Sequence, residues 1–201
     1  MDGARSVRPP ASGDLADRFV AALGEVQGIG IRARDPGEAV AAVVQALRER
    51  GVTEVVAAAD PILRAIGLPG AVRAAGIGWW EATPGVDPQA LRAAAAQAGA
   101  GITGVDWALA ATGTLVLMSR PGRPRSLSLL PPLHVAVLTE DQLLPDLPDL
   151  FRHLSRMASA GEMPGSLNLI TGPSRTADIE HTLVRRVHGP GELLAVVLPA
   201  R

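Results

Sequence analysis

Apolar and polar positions change period repeatedly along this chain, and the changes mark out alternating helices and strands. Residues 36–50 place Ala39, Val40, Val43, Val44 and Leu47 on one helical face, finish with Arg48 and Arg50, and stop at Gly51. Residues 52–59 are almost continuously apolar and carry three valines, as a strand buried on both faces of a parallel sheet does. A short helix from Pro61 to near Gly67, a strand in residues 76–82 and an alanine-rich helix over residues 88–98 follow. Three Asp-Pro pairs, Asp35-Pro36, Asp60-Pro61 and Asp87-Pro88, each set a capping carboxylate before a proline suited to the first helical turn. Ahead of them, Leu15, Phe19, Leu23 and Val26 form a helical stripe.

Beyond Gly104 the pattern predicts strands at residues 115–118 and 134–138, separated by a long loop rich in Arg, Pro and Ser. Loops of that length inside a domain are usually functional or mobile. Residues 143–157 read as a helix interrupted by Pro145 and Pro148. The last unit reads as strand 167–170, helix 176–187 and strand 193–198, with Ile179, Leu183 and Val187 on the helix face toward the sheet. The fold class predicted is α/β, an open parallel or mixed sheet flanked by helices. Residues 1–13 are expected to be a disordered tail and residues 14–201 a single domain, in which 14–34 would hold a peripheral helix.

Composition narrows the chemistry. A chain of 201 residues, 47% hydrophobic, suffices for one sizeable core. All 19 basic residues are Arg, spread along a chain of net charge −1, which disfavours nucleic acid as a partner. Without cysteine there is no disulfide, no thiolate nucleophile and no ligand for the usual iron–sulfur cluster. Without lysine there is no Schiff base and no P-loop lysine. Proton carriers reduce to carboxylates, hydroxyls and four histidines, His134, His153, His181 and His188. The longest apolar candidate, residues 102–118, is broken by Asp106, so no membrane span is expected; the start lacks the apolar core of a secretory signal, and a cytoplasmic location is the expectation.

The most informative stretch is residues 167–180, LNLITGPSRTADIE, read as a strand handing a turn to a helix N-terminus. Such a junction exposes unpaired N–H groups to an anion, Arg175 adds a planar fork for a carboxylate or phosphate, and Ser174 and Thr176 add hydroxyls. The alternative is that Ser174 or Thr176 simply caps the helix while Arg175 is solvated. Residues 99–104 spell G-x-G-x-x-G, and Gly28 and Gly30 nearly repeat it, but each follows a predicted helix, the wrong context for a dinucleotide turn. Ala110-Ala111-Thr112-Gly113-Thr114 would let a ligand approach the backbone closely, or is a tight bend entering a strand. A nucleophile elbow at Ser174 with Asp178 and His188 lacks its second glycine, replaced by Thr176. Asp178, His181 and His188 have poor spacing for metal ligands, and no metal site is expected. Arg120, Arg123 and Arg125 either are solvated or have an anionic partner.

Taken together, residues 101–104, Ala110 to Thr114, Arg125 with Leu130-Pro131-Pro132-Leu133-His134, the run GPSRTADIE and His188-Gly189-Pro190 resemble the LUD-domain family of lactate-utilisation proteins, specifically its short LutC/YkgG type. The resemblance implies a NagB/RpiA/CoA-transferase-like fold and a cytoplasmic role in oxidising L-lactate to pyruvate. It also implies association with iron–sulfur partner subunits, which carry the clusters while this chain carries no cofactor. One departure is Ala111, where the family usually has a glutamate before Thr-Gly-Thr. Joined to the physical reading, it places Thr112, Gly113, Thr114, Gly172, Ser174, Arg175 and Thr176, with Arg125 and His188 nearby, around a small carboxylate at the carboxyl edge of the sheet. Asp178 would cap the helix or orient Arg175. The alternatives are a stand-alone enzyme acting on a phosphorylated sugar, a CoA ester or a folate, and a regulatory module that senses a carboxylate.

Overall fold

A computed structural model of the chain describes residues 12–177, 183–185 and 189–200. Helix α1 (Ser12–Glu25) leads into β1 (Ile29–Arg32), followed by α2 (Pro36–Glu49), β2 (Glu54–Ala58), α3 (Pro61–Ala65), α4 (Leu68–Ala74), β3 (Gly78–Ala82), α5 (Pro88–Gln97) and β4 (Ala100–Gly104). The second half holds β5 (Trp107–Leu109), β6 (Thr114–Met118), α6 (Ser126–Leu129), β7 (Leu133–Thr139), a 3-10 turn (Glu140–Gln142), β8 (Leu143–Leu144), α7 (Leu147–Ala160) and β9 (Leu167–Thr171). Strands β10 (Arg175–Ala177), β11 (Leu183–Arg185) and β12 (Glu192–Leu198) close the chain. Among the described residues no helix is long and apolar enough to cross a membrane.

Six strands form one sheet in the order β1-β12-β7-β4-β2-β3, every neighbouring pair parallel. The α/β class with helices flanking a parallel sheet is therefore as expected. β7 and β12 sit next to each other in the sheet interior, their registers running from Glu192 against Leu133 to Leu198 against Thr139. Every residue of β7 is buried, which is why LHVAVLT is apolar without alternation. One face of the sheet packs Val55, Ile102, Val135 and Val196 against Val43 and Leu47 of α2, Leu63 of α3 and Val72 of α4. The opposite face divides between α1, whose Phe19 and Leu23 meet Ala136, Leu138 and Val197, and α5 with α6, whose Ala95 and Leu127 meet Val56 and Ala58.

A second sheet, in the order β8-β5-β6-β9, covers the remainder of that face, and α7 lies outside it on Leu109, Val116 and Leu144. Its antiparallel β5–β6 and β6–β9 pairs place the predicted strand at 167–170 in this smaller sheet. The interrupted helix predicted at 143–157 divides at its prolines: Leu143 and Leu144 pair with β5, and Asp146 caps α7 by accepting from the Asp149 N–H at 3.3 Å. Residues 14–34 supply more than a peripheral helix, because α1 buries Phe19 and Leu23 completely and β1 is an edge strand of the main sheet. The tail expected before it lies, through residue 11, outside the described residues.

The helix predicted at 176–187 is contradicted wherever that span is described. Arg175–Ala177 and Leu183–Arg185 are strands paired antiparallel, Thr176 opposite Val184. Two β-branched residues at that register favour extended backbone, and the four-residue spacing of Ile179, Leu183 and Val187 was the weaker signal.

Residues 99–104 owe their glycines to packing. A Cβ on Gly101 would lie 1.8 Å from the Leu127 carbonyl oxygen, so α6 crosses β4 at a distance only glycine permits. Likewise Gly30 lies beneath α1, where a Cβ would meet Val20 at 3.1 Å. Gly101→Ala is expected to destabilise the fold by about 1–3 kcal/mol through displacement of α6, measured by urea denaturation. An unchanged midpoint would show that α6 moves freely.

Candidate functional site

Asp60 departs from its two sequence counterparts. Asp35 accepts from the Glu38 N–H at 2.8 Å, and Asp87 accepts from Gln89 and Ala90, as helix caps do. Asp60 makes no such cap bond. Its carboxylate crosses instead to the carboxyl end of β4, where Oδ2 accepts from the Gly104 N–H at 2.8 Å and lies 3.5 Å from Nη1 of Arg123.

Arg123 is the centre of this arrangement. Its side chain is 4% exposed, and it ion-pairs with Asp106 as well as Asp60 while its Nε donates to the Met118 carbonyl at 3.2 Å. Asp106 in turn accepts from the Met118 N–H at 2.7 Å and pairs with Arg120. Burial pulls the Arg123 guanidinium below the ordinary arginine range and Asp60 pulls it back up; it remains a cation. Arg120, about half exposed, is lowered first by burial and then by repulsion from Arg123.

The local sequence explains this convergence. Arg120-Pro121-Gly122-Arg123 is a tight turn in which the Arg123 N–H donates to the Arg120 carbonyl at 2.9 Å and Gly122 takes φ +81°, the proline-glycine order that a type II turn requires. The turn docks on the main sheet through the Ala59 N–H, which donates to the Gly122 carbonyl at 2.9 Å. The loop predicted to be functional or mobile is thus pinned at this turn. Across from it, Gln142 bonds the Thr139 N–H through Oε1 and the Val105 carbonyl through Nε2. A cavity of about 300 Å³ remains between them, bordered by Asp60, Asp106, Arg120, Arg123, Thr139 and Asp141. It lies past the carboxyl ends of β2, β4 and β7, where open α/β sheets bind ligands. Among the described residues no group of His, Cys, Asp and Glu is placed to hold a metal ion.

The residues singled out in the sequence are distributed elsewhere. Thr112 and Thr114 share a 2.7 Å hydroxyl contact, which Thr114 extends to Thr171 at 2.7 Å. Gly113 and Gly172, both at positive φ, lie against the end of α1, where a Cβ would come within 2.3 Å of the Leu23 nitrogen and 2.5 Å of the Val26 carbonyl oxygen. The space opened by these small residues is filled by helix backbone. Ser174 borders a separate cavity of about 330 Å³ with Gln27, Ile29 and Glu192, at the amino ends of β1 and β12. The anion pocket expected at the carboxyl edge is therefore not assembled there by Ser174. Arg175 and Thr176 lie in β10, so among the described residues no helix begins at the turn. Arg125 is exposed before α6. Asp178, His181 and His188 lie outside the described residues.

Asp60, Asp106, Arg120 and Arg123 were not joined by sequence reasoning, which read Asp60 as a cap and Arg120 and Arg123 as either solvated or paired with an anion. The available signal was a buried-strand context at both aspartates beside two arginines spaced by Pro-Gly. His134 is likewise structural in its surroundings. It is fully buried on β7, shares a 2.9 Å hydrogen bond with Thr103 through Nε2, and has no partner for Nδ1 among the described residues. Burial pushes its pKa down to about 4, so the ring is neutral.

An all-parallel six-stranded sheet flanked by helices, with a polar cavity past its carboxyl ends, defines a doubly flanked α/β domain. Residues 16–198 match the LUD domain, and the chain belongs to that family. It is 37% identical over 161 residues to Lactate utilization protein C of Halalkalibacterium halodurans, covering 80% of this chain and 69% of that protein. It is 31% identical over 184 residues to the uncharacterized protein YkgG of Escherichia coli, covering 90% of this chain and 78% of that protein. The match to Lactate utilization protein C of an Exiguobacterium species, 39% identical, spans 48% of that relative. The crystal structure of a DUF162 family protein from Deinococcus radiodurans shares the fold, with a TM-score of 0.67 at 20% identity over 94% of this chain and 99% of that one.

Two outcomes test this description. Arg123→Leu strands two buried carboxylates and should cost about 3–5 kcal/mol in chemical denaturation, whereas Arg120→Gln, at a half-exposed position, should cost under about 1 kcal/mol. His134, depressed to about 4 when folded, is protonated first in the unfolded chain. Its contribution is fully present above the unfolded value near 6.5 and is lost as pH falls toward 4, by up to about 3 kcal/mol. Urea titrations at pH 4.5 and 7 should therefore diverge more for the natural protein than for His134→Gln; equal divergence would place the acid sensitivity elsewhere.

Proposed function

We propose that this LUD-family chain is a cytoplasmic component of L-lactate utilisation, working with iron–sulfur partner subunits that oxidise lactate to pyruvate. The observation that carries this reading is the match over residues 16–198 to a family with relatives named Lactate utilization protein C. Oxidation of lactate releases two electrons and two protons. The 201 residues contain no cysteine to anchor an iron–sulfur cluster, so the electron carriers are assigned to the partners.

The role of this chain is then to hold a small carboxylate and present it. Of the two cavities, the one at Arg120 supports that role better. The Arg120 guanidinium pairs with Asp106 through Nη2 and is half exposed, which leaves it open to a carboxylate. Among the described residues the wall at Ser174 carries no arginine, and β10 stands where a helix N-terminus would have favoured an anion. Ala111 sits in the β5–β6 turn, its N–H bonded to the Pro145 carbonyl at 3.0 Å, so its lack of a carboxylate leaves the cavity at Arg120 intact.

Affinity purification of the tagged chain from lactate-grown cells is expected to recover iron–sulfur subunits, and deletion is expected to slow growth on L-lactate. Recovery of no such partner together with normal growth would overturn the proposal.

A further inference from the structure

We infer that β9 is a dimerisation edge: two copies of this chain join their smaller sheets by antiparallel pairing of β9 with β9 about a two-fold axis at Leu169. The two four-stranded sheets then become one of eight strands. This interface is independent of the role in lactate utilisation.

The ladder between β6 and β9 fixes which main-chain groups are free. The register runs from Thr114 opposite Thr171 to Met118 opposite Leu167, and one step further the Ser119 N–H donates to the Ser166 carbonyl at 3.0 Å. Bonded and non-bonded pairs alternate along an antiparallel ladder, so Ser166, Asn168 and Ile170 bond to β6, while Leu167, Leu169 and Thr171 turn their N–H and C=O groups outward. On β6 the Val116 carbonyl and the Met118 N–H both bond Asp106, on the side away from β9, as that alternation requires. Among the described residues no strand lies beyond β9.

Proteins ordinarily blunt such edges by brevity, charge, proline or a bulge. The other three edges of the two larger sheets follow that rule: β1 has four residues and carries Arg32, β3 carries Glu81, and β8 has two residues. β9 has five residues in unbroken register, and no charged residue occurs in residues 163–174. At its centre Leu169 is 47% exposed, although its register partner Val116 is fully buried. Leu167, on the same face, packs with Leu150 of α7, and that cover stops short of Leu169.

A second copy matches this edge because the outward groups are symmetric about Leu169. Antiparallel pairing there lets Leu169 exchange both hydrogen bonds with Leu169 of the partner subunit and sets Leu167 opposite Thr171 of the partner subunit. The two exposed leucines then stand side by side on one face and cover each other. With an uncharged edge and a net charge of −1, neither local nor long-range repulsion opposes the approach of two identical chains.

Sedimentation equilibrium of the purified full chain tests this. The natural protein should dimerise reversibly. Leu169→Lys sets like charges against each other across the axis and should raise the dissociation constant by at least about tenfold, with the thermal midpoint nearly unchanged because the side chain is exposed. Leu169→Val should keep the dimer. Hydrogen exchange reads the edge without any variant: the amides of Leu167, Leu169 and Thr171 should exchange more slowly as protein concentration rises. A natural chain that stays monomeric, as it would if the edge takes a strand from another protein, overturns the proposal. So does a dimer whose edge amides gain no protection, or a Leu169→Lys protein that dimerises as tightly as the natural one.

Discussion

The burial of Arg123 between Asp60 and Asp106 is the constraint around which this domain is arranged. Its partners come from the end of β2 and the β4–β5 connection, and the arginine itself arrives on the turn after β6. One guanidinium therefore ties the main sheet to the smaller one. Taking such charges out of water costs several kcal/mol per ion, and only complete pairing offsets it. Here the pairing is extended by backbone: Gly104 and Met118 give N–H groups to the carboxylates, and the Met118 carbonyl takes the arginine Nε. A network satisfied in this way fixes the relative placement of two sheets far more narrowly than apolar packing alone.

That fixed frame supports the less constrained edge. Arg120 and Asp141 are more exposed than Arg123 and the carboxylates that hold it. The division between a buried base and exposed rim groups is what small-molecule recognition needs: the base sets position, and the rim supplies the few polar contacts that decide specificity. Gln142 performs the same service on the opposite wall, joining the end of β7 to Val105.

How much of this the sequence disclosed depended on the range of the interaction. Helix α2 and strand β2 were legible because their apolar periodicity and their punctuation, Asp35-Pro36 before and Gly51 between, are local properties. Asp60 has the same local signature as Asp35, and local reasoning assigned it the same cap; a contact to Gly104, 44 residues away, overrode it. The antiparallel pair β10–β11 was read as a helix because a four-residue apolar repeat mimics a helix face when strands are short. Gly101 was set aside as a dinucleotide turn on context, and its packing against the backbone of α6, which crosses β4 there, is invisible until α6 is placed. The candidate site was the least legible part, since its aspartates and arginines lie far apart in sequence.

The seating of α1 on Gly113 and Gly172 restricts two positions by the helix main chain. Where the turns after β5 and β9 meet the helix end, the nearest neighbours are main-chain atoms, the Leu23 nitrogen at Gly113 and the Val26 carbonyl oxygen at Gly172. Backbone looks the same whatever side chain it carries. The close approach therefore does not depend on which side chains α1 turns outward, while a single added methyl group at either glycine would collide with that backbone.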